Sequence, residues 1–189
     1  MKYKVVKLAF SQGVHLGNGM LTDGGNTVFA DTLFSALCQE ALQMEGSVEG
    51  LCDLVRRNQL RFSDGMPYIG EKLYIPKPYL SVKTEEEGDS SLKKAFKKLT
   101  YIPVEKVEQY LSGKLDAAAE NTVLSGLGSY EMRNHAAINR GKDSDPYHVG
   151  VYHFNPGCGL YLVIGYETEE IWSYAEQLLT ALSYTGIGG

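Results

Sequence analysis

The stretch LYLVIGYETEEIWSYAEQLLTALS, residues 160–183, joins a strand pattern to the clearest helix pattern in the chain. Residues 160–167 are rich in aliphatic and aromatic side chains, which is typical of a strand. Thr168 stands at the expected N-cap, and Glu169 and Glu170 follow in the first turn, where the helix dipole favours carboxylates. An apolar stripe follows at helical spacing, formed by Ile171, Ala175, Leu178 and Leu182 with Trp172 and Leu179 beside it. The stretch predicts a strand followed by an amphipathic helix that packs on a sheet.

Two more strands are predicted immediately before this unit. They cover residues 133–140 and 147–154, and the turn NPGCG, residues 155–159, separates the second strand from residues 160–167. The polar loop GKDSDP, residues 141–146, joins the two strands, and its turn-forming residues predict a mobile segment. We expect residues 147–154 to return into the core sheet.

The N-terminal part of the chain predicts a strand, a loop and two helices. Residues 2–10 alternate, with Val6, Leu8 and Phe10 on one face, and the loop SQGVHLGNG, residues 11–19, follows with His15 inside it. A helix is expected from about Asp31 to Gly46. Its buried stripe is predicted to consist of Leu33, Leu37, Ala41 and Met44. A second short helix, capped by Ser47, is predicted to bury Val48, Leu51, Cys52 and Val55.

The middle of the chain has a different composition. Residues 60–63 and 72–76 predict two strands that pair with each other. Residues 81–130 are densely charged, and we expect an insertion with one or two short helices. The cluster Lys93, Lys94, Lys97 and Lys98 is interpreted as a solvated helix face, balanced by Glu85, Glu86 and Glu87.

The predicted order is strand, helix, strands, insertion, strands, helix and glycine-rich loop. This order indicates an α+β fold of the ferredoxin-like (RRM-like) βαββαβ type, with a helical insertion and an extra hairpin. A closing strand is required after the last helix, and the sequence ends at TGIGG instead. We therefore expect the closing strand and a second, C-terminal domain to be missing from this chain of residues 1–189.

Composition excludes several classes of protein. The chain has 189 residues, 43% hydrophobic content and a formal net charge of −5, which is ordinary for a soluble globular protein. Its apolar runs are shorter than the roughly 20 residues that span a bilayer, and the N-terminus lacks the apolar core of a signal peptide. The cysteines, Cys38, Cys52 and Cys158, are scattered without a CxxC motif and fit reduced thiols. These features predict a cytoplasmic protein with no membrane association.

Metal, hydrolase and nucleotide sites have little support. His148 and His153 are five residues apart on a predicted strand, so their side chains are expected on opposite faces, and only a strand bulge would let them share a zinc ion with Cys158. No GxSxG motif is present, and Gly113-Lys114 and Gly141-Lys142 lack the spacing of a phosphate-binding loop. We expect neither a metal nor a cofactor.

RNA binding fits more of the residues. Residues 133–154 hold three of the four histidines, and Arg133, His135 and Asn139 are predicted to share one strand face. Such side chains bind phosphates, 2′-hydroxyls and bases, and glycine loops let backbone N–H groups approach phosphate. A ribonuclease remains the alternative, with His15 as general base and Lys7, Arg133 or His135 as acid or charge stabiliser.

Three motifs in this order resemble the RAMP superfamily of CRISPR proteins. They are FADTLFSALCQEAL after VHLGNG, then RNHAAINR, then a terminal GIGG. Within that superfamily the chain is similar to the fourth subunit of type III-A effector complexes, the group that binds the crRNA 5′ tag. The resemblance implies a non-catalytic protein whose partners are the crRNA tag, the large polymerase/cyclase-like subunit and an adjacent backbone RAMP subunit. It implies that the insertion is a thumb. The alternative is a metal-independent crRNA-processing endoribonuclease of the same superfamily. The RNA-binding residues that the resemblance implies are His15, Gly17, Asn18, Arg133, His135, Asn139, Arg140, Gly186, Gly188 and Gly189.

Overall fold

The central element of the fold is a buried strand near the C-terminus. The computed structural model describes residues 1–17, 19–80, 90–137 and 145–187. Strand β8, Cys158–Tyr166, pairs antiparallel with β1, Lys2–Leu8, on one edge. On its other edge it pairs with the short strands β2, Leu60–Phe62, and β3, Met66–Ile69. Eight of the nine residues of β8 are buried, and its sequence is almost continuously apolar.

The sheet continues beyond β3 through β4, Lys72–Pro76, and β5, Tyr101–Pro103, which gives the order β1-β8-β3-β4-β5. A two-residue turn joins β3 to β4, and its first residue, Gly70, has φ of 60°, as tight hairpins require. The expected pairing of residues 60–63 with 72–76 is wrong. Strand β2 pairs with the end of β8, and the unpredicted strand β3 takes the place beside β4.

Three helices and the main sheet enclose the larger core. They are α1, Ala30–Glu45, α2, Glu49–Arg56, and α6, Glu169–Thr185. The predicted packing of α6 on the sheet is confirmed, and the side chain of Thr168 caps its first turn by accepting from the N–H of Ile171. Apolar residues from both layers are buried in this core, including Leu33, Leu37, Leu51, Leu160, Leu162, Ile164, Ala175 and Leu178.

The buried face of α1 differs from the prediction at one position. Met44 is 51% exposed. The last turn of the helix, residues 42–46, lies entirely at the surface and extends past the buried stripe. Glu40 is buried instead, and the hydroxyl of Thr185 donates to its carboxylate at 2.5 Å. This bond ties α1 to the end of α6.

A second, smaller core lies in the described part of the middle segment. It is built by α3, Ser90–Lys98, a 3₁₀ turn, Val104–Lys106, α4, Val107–Leu111, and α5, Ala117–Leu124. There are thus three α-helices in residues 90–130, where one or two were expected. Leu99, Ile102, Tyr110, Leu115 and Ala117 form the buried cluster. Strand β5 belongs to the main sheet, so this segment is joined to the larger core through β4.

The remaining two strands form a hairpin of their own. Strand β6, Gly128–Ala137, pairs antiparallel with β7, Asp145–Phe154, over ten residue pairs. The expectation that residues 147–154 return into the core sheet is wrong. Both edges of β8 are occupied by β1, β2 and β3, so β7 has no edge of β8 to pair with. The predicted mobile loop, residues 141–146, lies mostly outside the described residues.

None of the helices in the described ranges is both long enough and apolar enough to cross a lipid bilayer. The described structure is a mixed α/β arrangement with antiparallel sheets.

Candidate nucleic-acid interface

The β6–β7 hairpin has two chemically different faces. Residues that pair directly across an antiparallel ladder project on the same side, so the register assigns each side chain to a face. We call one side the arginine face; it carries Ser129, Glu131, Arg133, His135, Ala137, Asp145, Tyr147, Val149, Val151 and His153. We call the other side the tyrosine face; it carries Gly128, Tyr130, Met132, Asn134, Ala136, Pro146, His148, Gly150, Tyr152 and Phe154.

The glycine-rich connection between β1 and α1 packs along the free edge of β7. The backbone groups of Val14 and Tyr152 exchange two hydrogen bonds of 2.9 and 2.8 Å. On the tyrosine face the hydroxyl of Tyr130 donates to the carbonyl of Thr22 at 2.7 Å. A Cβ on Gly24 would lie 2.1 Å from the ring of Tyr130, so this close approach requires glycine. The connection therefore fastens the hairpin to the main body.

His15 takes part in this packing. Its Nδ1 lies 2.7 Å from the carbonyl oxygen of Gly150 on β7. A carbonyl oxygen only accepts, so Nδ1 is the donor and Nε2 holds the lone pair in the neutral ring. A Cβ on Gly17 would lie 3.1 Å from that Nε2, so the small residue leaves room for the imidazole. In this position His15 anchors the connection to β7, and its Nε2 has no hydrogen-bond partner in the part of the chain that the structure describes.

Arg133 lies in a cluster of three polar side chains on the arginine face. Its Nε donates to a carboxylate oxygen of Glu131 at 3.1 Å. The Nε2 of His153 lies 2.7 Å from the same oxygen. These contacts hold the pKa of Glu131 below its ordinary value, with the hydrogen bond from His153 as the larger cause and that from Arg133 next. The side chains remain accessible, with exposed fractions of 44% for Arg133, 52% for Glu131 and 34% for His153.

The hydrogen bonds in this cluster cannot all form at once. The Nη2 of Arg133 also lies 3.2 Å from the Nε2 of His153. A carboxylate only accepts, so the 2.7 Å contact to Glu131 requires a proton on that Nε2. The same nitrogen then cannot accept from Arg133. The Nη2 group of Arg133 is left as a donor without a protein acceptor among the described residues.

An aromatic pair lies further along the arginine face. The rings of His135 and Tyr147, which are direct cross-strand partners, are stacked with centroids 5.3 Å apart and an interplanar angle of 20°. Both side chains are exposed. Exposed flat rings beside a guanidinium are suited to single-stranded RNA, because bases stack on the rings while phosphates pair with the cation.

The two histidines considered for a zinc site, His148 and His153, lie on opposite faces of the hairpin, as their spacing predicts. His148 lies on the tyrosine face, where its Nδ1 is 2.7 Å from the amide oxygen of Asn134, and His153 lies on the arginine face. Cys158 is buried, and its thiol donates to the carbonyl of Gly126. Within the described ranges no three His, Cys, Asp or Glu side chains lie close enough together to hold a metal ion.

The hairpin brings together only some of the residues implied by the resemblance. Arg133 and His135 share the arginine face, as strand parity predicts, while His15 lies beside β7 and Gly17 lies against the imidazole of His15. Gly186 has φ of 90° and caps α6 by donating to the carbonyl of Leu182, and the next residue, Ile187, packs on the main core. Those contacts lie in the helical layer rather than on the hairpin. Asn18, Asn139, Arg140, Gly188 and Gly189 lie outside the described residues.

Sequence reasoning missed three members of the arginine face: Glu131, Tyr147 and His153. Residues 147–154 alternate, which assigns Tyr147 and His153 to one face of their strand. Their position relative to Arg133 depends on the register of β6 against β7. The register of a hairpin depends on the type and length of its turn, and residues 141–146 alone did not predict either of them.

The chain has recognisable relatives. The "CRISPR system Cms protein Csm4" of Mycobacterium tuberculosis (strain ATCC 25618 / H37Rv) is 38% identical over 157 residues, which cover 82% of this chain and 51% of the relative. The chain is therefore similar in sequence to Csm4 over most of its own length. The protein of the same name from Streptococcus thermophilus is 28% identical over an alignment that covers all of this chain and 60% of the relative. No protein-family model matches the chain.

Solved structures show the same fold. A crystal structure of a Csm1-Csm4 cassette in complex with cA4 matches 96% of this chain and 65% of the solved chain, with a TM-score of 0.63 and 21% identity. A Csm3-Csm4 subcomplex of the type III-A CRISPR-Cas interference complex matches all of this chain and 66% of the solved chain, with a TM-score of 0.61 and 17% identity. The chain spans about half the length of the Mycobacterium tuberculosis relatives it matches.

Proposed function

We propose that this Csm4-like protein is a non-catalytic RNA-binding subunit of a type III-A CRISPR effector complex in the cytoplasm. The observation that carries the proposal is its 38% identity to Csm4 over most of its length. In the proposed role it binds the 5′ repeat-derived tag of crRNA and docks the large polymerase/cyclase-like subunit in antiviral defence. The solved Csm1-Csm4 and Csm3-Csm4 assemblies support docking to the large subunit and to a neighbouring backbone RAMP subunit.

The strand order supports a ferredoxin-like fold for this chain, as the proposed family role implies. In the main sheet β8 lies between β1 and β3, while α1 follows β1 and α6 follows β8. This arrangement corresponds to three strands and both helices of a split βαβ fold. The segment from residue 81 to 130 is the proposed thumb insertion.

The arginine face is the proposed contact surface for RNA. It combines an exposed guanidinium, whose Nη2 group has no acceptor among the described residues, with a stacked aromatic pair and the imidazole of His153. His15 borders the same hairpin through its contact with Gly150 of β7, and Gly17 lies against its imidazole. Since the net charge of the whole chain is −5, the attraction for RNA must come from this local arrangement rather than from the overall charge.

The test is to isolate the assembled complex through this subunit and to sequence the 5′ ends of the bound RNA. We expect the 5′ ends to begin uniformly with a repeat-derived segment. RNA with random 5′ ends, or a complex free of RNA, would reject the role in tag binding. Incubation of the protein with repeat RNA in EDTA tests the endoribonuclease alternative, since cleavage that disappears in the His15→Ala variant would establish catalysis.

A further inference from the structure

The carboxylate of Glu131 occupies a position that suits a phosphate oxygen. One of its oxygens lies 3.1 Å from the Nε of Arg133 and 2.7 Å from the Nε2 of His153. A guanidinium and an imidazole N–H that converge on one oxygen are the donors that proteins use for phosphate. The two donors come from different strands, because Arg133 is on β6 and His153 is on β7, so the hairpin register builds the site.

We propose that Glu131 is an internal competitor for RNA, which binds Arg133 and His153 in the free protein and is displaced when an RNA phosphate takes its place. This inference rests on the proposed function of the arginine face and adds a regulatory contact to it. His153, which has no role in the RNA interface inferred from sequence, becomes a phosphate ligand. Glu131 becomes a side chain that lowers affinity.

The exchange is feasible because every group in the cluster is accessible. The exposed fractions of Arg133, Glu131 and His153 lie between 34% and 52%, so a phosphate can reach the donors without rearrangement of the backbone. Ion pairs at such exposed positions are weak, so an incoming phosphodiester replaces the carboxylate at small cost. The Nη2 group of Arg133 offers the phosphate a second donor that Glu131 does not use.

The competition has a functional consequence. Every anion that binds here must first displace Glu131, which reduces the affinity for all of them by the same factor. For a free phosphate or a non-specific polyanion, only the hydrogen bonds with Arg133 and His153 offset the cost of displacing Glu131. An RNA strand that also stacks on His135 and Tyr147 is stabilised further, so it binds where weaker ligands do not.

The experiment is a titration of the intact protein with a short fluorescein-labelled single-stranded RNA. Glu131→Gln keeps the shape of the side chain and removes its charge, and we expect it to tighten RNA binding about threefold to fivefold. Glu176→Gln is the matched control, because Glu176 is an exposed glutamate on α6 whose replacement changes the net charge equally. This control should leave the affinity within about twofold of the wild type.

A double-mutant cycle assigns the effect to the cluster. In an Arg133→Ala background, Glu131→Gln should tighten binding by less than it does in the wild type, because one of its two partners is already absent. If Arg133→Ala weakens RNA binding while Glu131→Gln does not tighten it more than Glu176→Gln, the competitor inference fails and the RNA-binding surface stands. If Glu131→Gln weakens binding, Glu131 orients Arg133 instead and the inference also fails. If neither the wild type nor Glu131→Gln binds RNA, both proposals fail.

Discussion

Arg133 is the residue on which the phosphate contact is expected to depend most. Arg133→Ala should weaken RNA binding, and each single-strand phosphate that it no longer neutralises should lower the slope of log K against log salt by about 0.7. The measurement is fluorescence anisotropy over a series of KCl concentrations. Arg56→Ala is the matched control, because Arg56 is an exposed arginine on α2 that pairs with Asp53 and lies away from the hairpin. A salt slope equal to that of the wild type would exclude Arg133 from phosphate binding.

Tyr147 is the residue of the arginine face on which base stacking is expected to depend. Its ring stacks on His135 at the exposed surface, and removal of a base–aromatic stack costs about 1–3 kcal/mol of binding free energy. Tyr147→Ala should therefore weaken RNA binding by about this amount with little dependence on sequence, while Tyr147→Phe keeps the ring and serves as the control. Equal affinities for the alanine and phenylalanine variants would show that no base stacks on this ring.

The parts of the site that were predictable are those governed by local rules. Strand parity placed Arg133 and His135 on one face and separated His148 from His153. The hydrogen bond between Glu131 and His153 joins residues 22 positions apart, and it depends on a register that no local pattern encodes. The sequence therefore predicted which residues of one strand share a face. The structure was needed to show which residues of the two strands lie next to each other.

At the scale of elements, α6 carries the clearest stability prediction. Leu178 is fully buried between α6 and the sheet, so Leu178→Ala should lower the free energy of unfolding by about 2–5 kcal/mol. Leu179 is only partly buried, and its replacement by alanine should cost less. Gln177→Ala, at an exposed position of the same helix, should change the stability by no more than about 0.5 kcal/mol. Urea unfolding curves check this order, and equal midpoints for all three variants would remove α6 from the core.

Elements with long, regular apolar patterns were predictable, whereas the short strands were predicted only in part. Helices α1 and α6 and strand β1 were placed correctly because their patterns run over 16, 17 and 7 residues. Strand β3 has four residues, including Pro67, and was missed. The turn at Gly70-Glu71 was the available indication of the β3–β4 hairpin. The pairing of β6 with β7 outside the main sheet was not predictable, because it follows from which edges of β8 are already occupied.

At the scale of the whole molecule, charge and length both favour a test on the assembled complex. The chain is acidic overall, with a net charge of −5, so the arginine face works against a repulsive mean field when the protein is alone. The chain also spans about half the length of its Mycobacterium tuberculosis relatives, so the proposed tag binding is best tested on the assembled complex. Selective binding of tagged RNA is therefore expected from the assembled complex, whereas the isolated chain should bind single-stranded RNA measurably but more weakly and without selectivity for the tag.

Selectivity for the tag is the property expected of that complex. An assembled complex that contains this subunit should bind crRNA with the 5′ repeat-derived tag more tightly than the same guide without it. Arg133→Ala should reduce this preference and leave the dependence on guide sequence unchanged, because phosphate contacts position RNA without identifying bases. Competition binding with matched tagged and untagged RNAs measures the preference, and a scrambled tag of equal length controls for the added charge. Equal binding of all three RNAs would leave this subunit as an RNA-contacting scaffold and reject its role as the tag reader.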